Sequence, residues 1–180
     1  MRQVALLRGI NLGPRNRVAM PALAEVVRSL GAAGVRTHLA TGNVVLDSGD
    51  EPRVLEERLE VALAEQLQVR SPVLVRTATE LAEVVAADPL DLAGHPGTGG
   101  AVVTFLSADP GPQPADVLRR GLLEADRVAL VGRELHLHVP GGLGRSRFSV
   151  LDLERRLGVR AATARTLAVV RTLARMAAAD

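Results

Sequence analysis

The first 77 residues alternate between two hydrophobic periods in an order that few architectures accommodate. Val4-Ala5-Leu6-Leu7 is an apolar run within a strand at about 3–8. A helix is expected at about 21–31, where Leu23, Val26, Val27 and Leu30 recur at i, i+3, i+4 and i+7 and Gly31 ends the run. Val35 to Ala40 and Asn43 to Asp47 read as two strands joined by a two-residue turn, Thr41-Gly42. Pro52 opens a second helix to about Gln68 on Leu55, Leu59, Ala62, Leu63 and Leu67, and Pro72 to Arg76 supplies a fourth strand.

This β-α-β-β-α-β order is that of a ferredoxin-like, or split β-α-β, unit. There the first two strands run parallel, with the third between them and antiparallel to both. The end of the first strand, the Thr41-Gly42 turn and the N-terminus of the first helix then meet at one sheet edge. Thr77 and Glu80 have capping-box spacing and start a short helix to about Ala87. Asp88-Pro89-Leu90-Asp91 and the Gly/Pro-rich stretch 94–100 mark a boundary between subdomains 1–93 and 94–180. The second half reads as a strand at 101–107, a helix at 114–124 and a hairpin at 127–139 turning at Gly132-Arg133. A loop from Pro140 to Arg147 and helices at 149–157 and 163–177 complete it. The expected fold is therefore α+β, with two ferredoxin-like subdomains, the second truncated and ending in two helices.

Composition removes several chemistries. The chain has no cysteine, so disulfides, thiolate metal sites and a Cys nucleophile are excluded. Every basic residue is Arg, which removes a Walker lysine and a Schiff-base amine. With two Phe and no Trp or Tyr, the core must be built of Leu, Val and Ala. No apolar run approaches the ~20 residues that cross a bilayer. A soluble, cytoplasmic protein without membrane contact is expected.

Charge is unevenly spread. Residues 1–46 carry six Arg against one acid, residues 140–180 eight Arg against three, and the stretch between them eight Arg against sixteen. The most basic stretch is the loop after the first strand, with Arg8, Gly9, Asn11, Gly13, Arg15, Asn16 and Arg17 and no acid. Glycine-freed backbone N–H groups, guanidinium forks and a following helix N-terminus are the parts of an anion site. Thr41, Gly42 and Asn43 should stand beside it. A second glycine-arginine loop holds Gly144, Arg145, Ser146 and Arg147, and Arg165 lies at the expected start of the last helix. Each feature also has a plainer reading: Gly9 and Gly13 as turn residues, Asn11 as a backbone clip, the arginines as solvated surface.

The histidines offer less. His136 and His138 alternate with Leu135, Leu137 and Val139, so both should point away from the core, and no third metal ligand accompanies them. His38 falls in the second strand and His95 in the linker. Asp47-Ser48-Gly49-Asp50-Glu51 lacks calcium-loop spacing, and Gly97-Thr98-Gly99-Gly100 precedes a strand, the wrong context for a nucleotide loop. No metal site is expected, and no cofactor can be assigned.

Leu6-Leu7-Arg8-Gly9-Ile10-Asn11-Leu12-Gly13, Asn16-Arg17-Val18 and Thr41-Gly42-Asn43-Val44-Val45 resemble two motifs of the bacterial family called domain of unknown function 1697. Gly142 to Arg147 is similar to that family's glycine, then serine-lysine, loop, and Thr163-Ala164-Arg165 to the start of its C-terminal motif. The resemblance implies two ferredoxin-like subdomains and brings no established activity. The chain departs from the pattern after Arg165, where Thr166, Leu167, Ala168 and Val169 replace asparagine-tryptophan-asparagine-threonine. His136 and His138 stand where the family has exposed aromatics.

Two functional readings follow. One is non-catalytic binding of phosphate-bearing ligands, nucleic acid first among them, through the Arg/Gly/Asn loops. The other is an enzyme or sensor for a small phosphorylated or carboxylated metabolite in a cleft between the subdomains. No nucleophile–base pair can be named for it. Oligomeric state is not readable.

Overall fold

A computed structural model describes residues 1–14, 16–91, 100–113, 115–142 and 148–179. The chain forms two compact units, Met1–Ala82 with Thr172–Asp180, and Glu83–Arg171. Among the described residues there are two four-stranded antiparallel sheets and six helices.

The first unit starts with β1 (Arg2–Leu7), α1 (Met20–Ser29), β2 (Ala33–Thr37), β3 (Asn43–Asp47), α2 (Pro52–Leu67) and β4 (Val73–Thr77), with strand order β2-β3-β1-β4. β1 pairs antiparallel with β3 and β4, and β2 antiparallel with β3, so β1 and β2 run parallel as expected. One sheet face (Ala5, Leu7, Val44, Leu46, Val73, Val75) packs on Leu23, Val26 and Val27 of α1 and Leu55, Leu59 and Leu63 of α2. Each such Leu or Val contributes on the order of 2 kcal/mol. Pro21 and Pro52 sit in the first turns of their helices. The opposite face is buried as well: Val4, Leu6, Val45, Leu74 and Arg76 are all 0% exposed. That double burial is why β1, β3 and β4 read as continuous apolar runs.

The β2–β3 connection departs from the two-residue turn. β2 stops at Thr37, Leu39 takes a left-handed backbone (φ 58°), and His38 N–H bonds Asn43 O at 2.9 Å. Asn43 Nδ2 donates to His38 O and to Thr41 Oγ1. The connection is thus residues 38–42, held shut by a buried asparagine side chain.

α3 (Ala78–Ala87) begins with the expected capping box: Thr77 N–H donates to Glu80 Oε2 (2.8 Å) and Glu80 N–H to Thr77 Oγ1 (3.1 Å). Next come β5 (Ala101–Leu106), α4 (Ala115–Arg119), β6 (Arg127–Val131), β7 (Glu134–His138), α5 (Val150–Leu157), β8 (Ala162–Thr166) and α6 (Leu167–Ala178). α4 is shorter than the expected 114–124. The second sheet has the order β6-β7-β5-β8, all neighbours antiparallel. Val102, Leu106, Leu135, Leu137 and Ala162 pack on Leu153 and Leu157 of α5.

Two expectations are corrected here. The second half has a fourth strand: residues 163–166, expected at the start of a terminal helix, belong to β8, which pairs along its length with β5, Val103 opposite Arg165 and Phe105 opposite Thr163. Alanine and arginine favour helix locally, but a 5-residue ladder overrides that preference. His136 does not face solvent: it is 4% exposed, because the second face of this sheet is buried too.

Candidate functional site

The first sheet brings together loops that lie far apart in sequence. At the end of β1, Leu7 N–H donates to Gly42 O (2.8 Å), and Arg8 N–H lies 3.0 Å from Pro72 O and 3.1 Å from Ser71 Oγ. Ser71 Oγ in turn donates to Arg8 O at 2.7 Å. The approach is close enough to demand glycine at 42, where an added Cβ would lie 2.7 Å from Leu7 Cβ and 2.9 Å from Ile10 Cδ1, at φ +79°.

The motif's asparagines hold this edge together. Asn11, itself left-handed (φ 56°), donates from Nδ2 to Val18 O (2.9 Å) and Ala40 O (2.8 Å), while its Oδ1 accepts from Val18 N–H (2.9 Å). Asn11 N–H also bonds Asn16 O, closing the loop on itself. The amide of Asn11 is therefore spent on backbone and that of Asn43 on His38 O and Thr41 Oγ1, and Ile10, 1% exposed, plugs the loop from below. Gly9 and Gly13 have open space where a Cβ would stand, and Thr41 and Asn16 are exposed.

Around this frame the charge is positive. Arg8 is half-buried, and Arg17 and Arg70 are exposed. Neither Arg17 nor Arg70 has a carboxylate partner among the described residues. The N-terminus of α1 comes to the same edge, with no side-chain cap and no acid in its first turn. Two of this unit's ion pairs, Arg2–Asp47 (2.7 Å) and Arg58–Asp50, lie toward the opposite end of the sheet, where β1 begins. Glu60 comes to the positive edge, and its Oε1 accepts Val73 N–H at 2.9 Å. Arg70 and Ser71 are absent from the sequence reading; the one available signal was an arginine directly before Ser71-Pro72.

Gly144, Arg145, Ser146 and Arg147 lie outside the described residues, as do Arg15 and His95. Arg165 sits in β8, not at the start of a helix, and is 8% exposed, with Nη1 donating to Thr163 Oγ1 and Ala164 O, both at 2.8 Å. Burial lowers its pKa to about 10. His136 occupies the same sheet row, since Val103 pairs with both His136 and Arg165. Its Nε2 is buried without a hydrogen-bond partner, and burial holds its pKa below the ordinary 6.5 against an upward pull from Asp88. Arg76, a fully buried arginine in an apolar strand, also went unremarked in the sequence; its Nη1 donates to Val75 O. Among the described residues no group of three or more His, Asp or Glu could hold a metal ion, and no helix is long and apolar enough to cross a membrane.

No curated protein matches this chain. The solved structure of conserved bacterial protein SP0830 from Streptococcus pneumoniae is similar over 98% of both chains, at 18% identity and a TM-score of 0.63. That likeness concerns the fold. The family model described as "Protein of unknown function (DUF1697)" matches residues 1–136, which include both motif loops of the first sheet. With most of its length under that model, the chain belongs to the DUF1697 family.

Proposed function

We propose that the chain binds phosphate-bearing ligands, nucleic acid foremost, at the loop edge of the first sheet. Each unit is read as a ferredoxin-like module, a reading supported by the β-α-β-β-α-β order with strand orders β2-β3-β1-β4 and β6-β7-β5-β8. The observation that carries the binding proposal is a division of labour. Asn11, Asn43, Gly42 and Ser71 lock the loops, leaving Arg17 and Arg70 exposed without carboxylate partners among the described residues, beside an uncapped helix N-terminus. Arg8, Gly9, Gly13 and Thr41 complete the edge, and Arg15, Gly144, Arg145, Ser146 and Arg147 are assigned to the same role on sequence grounds alone. RNA modules on sheets of this kind stack bases on aromatics. This chain has two Phe and neither Trp nor Tyr, so contacts should be electrostatic and made through loops.

Fluorescence anisotropy with single-stranded RNA and DNA at two salt concentrations tests this. Binding should weaken steeply with salt, and Arg17→Ala and Arg70→Ala should each reduce the slope of log K against log salt by about 1. Their stability should stay within about 0.5 kcal/mol of the parent. Absence of binding at low salt, or variants that bind as the parent does, would refute the proposal. A thermal-shift screen with nucleotides and sugar phosphates covers small phosphorylated ligands.

A further inference from the structure

We propose that β6 is a pairing edge through which two copies of this chain associate, joining their second sheets into one antiparallel sheet. A sheet edge exposes a row of unpaired N–H and C=O groups, and proteins normally blunt it. Three of the four edges here carry such a device. On β4, Val73 N–H donates to Glu60 (2.9 Å) and Val75 N–H to Glu56 (2.8 Å), both from α2. On β8, Ala162 N–H donates to Glu154 of α5 at 2.6 Å. β2 is broken by a register shift between Ala33 and Arg36, carries Gly34 at φ +58° and presents the charged Arg36.

β6 has none of these. Its 5 residues keep unbroken register with β7. Four of them, Val128, Ala129, Leu130 and Val131, are apolar, and the charge is confined to Arg127 at the start. Among the described residues no hydrogen bond reaches its outer side. The two-residue Gly132-Arg133 turn makes Val131 and Glu134 a bonded pair, so alternation along the ladder turns the N–H and C=O of Val128 and Leu130 outward.

Those outward groups fit a second copy of the same strand. In an antiparallel pairing centred on Ala129, Val128 of one copy faces Leu130 of the other. Each such pair exchanges both backbone bonds, and Ala129 meets Ala129 at the two-fold axis. Val128 and Leu130 already pack on the helix-covered core, so the new cross-strand pairs extend that apolar layer. A groove of about 420 Å³ runs beside the edge, bounded by Leu118, Leu130, Gly132 and Gln113, and has room for a partner side chain. The two Arg127 side chains fall at opposite ends of the new ladder, ~14 Å apart, beyond the screening length at physiological salt. A foreign peptide would find little on Val128-Ala129-Leu130 to select it, whereas the strand is complementary to itself. Both copies use the same edge and β8 is capped, so association closes at two.

Sedimentation velocity and light scattering on the full chain over a concentration series test the proposal, with far-UV circular dichroism as the check on folding. The parent should reach twice the monomer mass. Ala129→Glu and Ala129→Lys each place like charges at the two-fold axis and should raise the dissociation constant roughly fivefold. An equimolar mixture of the two should recover parental association. In the parent itself, the Val128 and Leu130 amides should exchange with deuterium more slowly as concentration rises, a readout that survives if a variant fails to fold. A parent that stays monomeric throughout, or amide protection indifferent to concentration, would overturn it.

Discussion

The two units follow one plan and differ at the places where chemistry can be read. Both run β-α-β-β-α-β, with the same strand order. In both, a glutamate of the second helix accepts an N–H from the last strand: Glu56 from Val75, Glu154 from Ala162. Both end that strand in Arg-Thr, and each arginine bonds the carbonyl of the residue before it: Arg76 to Val75 O, Arg165 to Ala164 O. The sheet rows correspond too. Arg36, Val45, Val4 and Arg76 cross the first sheet where Ala129, His136, Val103 and Arg165 cross the second. The first unit therefore keeps Val45 where the second buries an imidazole. Its β2–β3 connection is bound by Asn43 and packed on Ile10, whereas Gly132 in the second has open space around it. One framework carries a rigid, motif-bearing edge in one unit and a plain hairpin in the other.

The largest effect should come from the two connection glycines. Gly42→Ala forces a Cβ against Leu7 and Ile10 at positive φ and should cost about 3 kcal/mol, while Gly132→Ala, with nothing within 4 Å, should cost about 1 kcal/mol. Urea titration followed by far-UV circular dichroism reads both, since the chain has neither Trp nor Tyr. Equal losses would break the contrast between a packed and an open connection.

Next is the row in which valine and histidine exchange. Burial keeps His136 below its ordinary pKa of 6.5, so below that pH the unfolded chain holds more protons than the folded one. Stability from this group is complete above pH 6.5 and is lost as pH falls through 6.5 toward the lowered folded value. Asp88 pulls the other way, toward protonation, but burial outweighs it. His136→Val should remove this pH component and raise stability at pH 5.5. Denaturation at pH 7.5 and 5.5 measures it, and an unchanged pH dependence in the variant would show that the imidazole titrates as an exposed one does.

The smallest difference lies at the ends of the second helices. α2 closes on Gln68 at φ 55°, α5 on Gly158 at φ 65°. Gln68→Gly should stabilise by about 0.5–1 kcal/mol and Gly158→Gln destabilise by a similar amount. A null result at Gln68 would show that its side chain compensates for the left-handed backbone.

Much of this was legible because it is local. The Thr77–Glu80 box needs two residues three apart, and both its bonds form. Pro52 opening a helix, Gly158 stopping one and Gly132 turning a hairpin are likewise decided within a few residues. The meeting of the Arg8 and Gly42 loops was also readable, because it follows from element order alone. Ser71, and Arg70 beside it, were missed because what marks the position is the contact of Ser71 with Arg8, more than 60 positions away.

By itself, then, the sequence determined the order and type of most elements and brought the motif loops to one sheet edge, since dihedral preference, capping and hydrophobic period are short-range properties. Tertiary structure decided that Ala162–Thr166 is a strand, that His136 and Arg165 are buried, and that Asn11 and Asn43 spend their amides on closing their own loops. Each of those depends on a hydrogen-bond partner or a covering layer that the residue's own neighbours do not supply. A strand's identity and a side chain's burial are set by what packs against them.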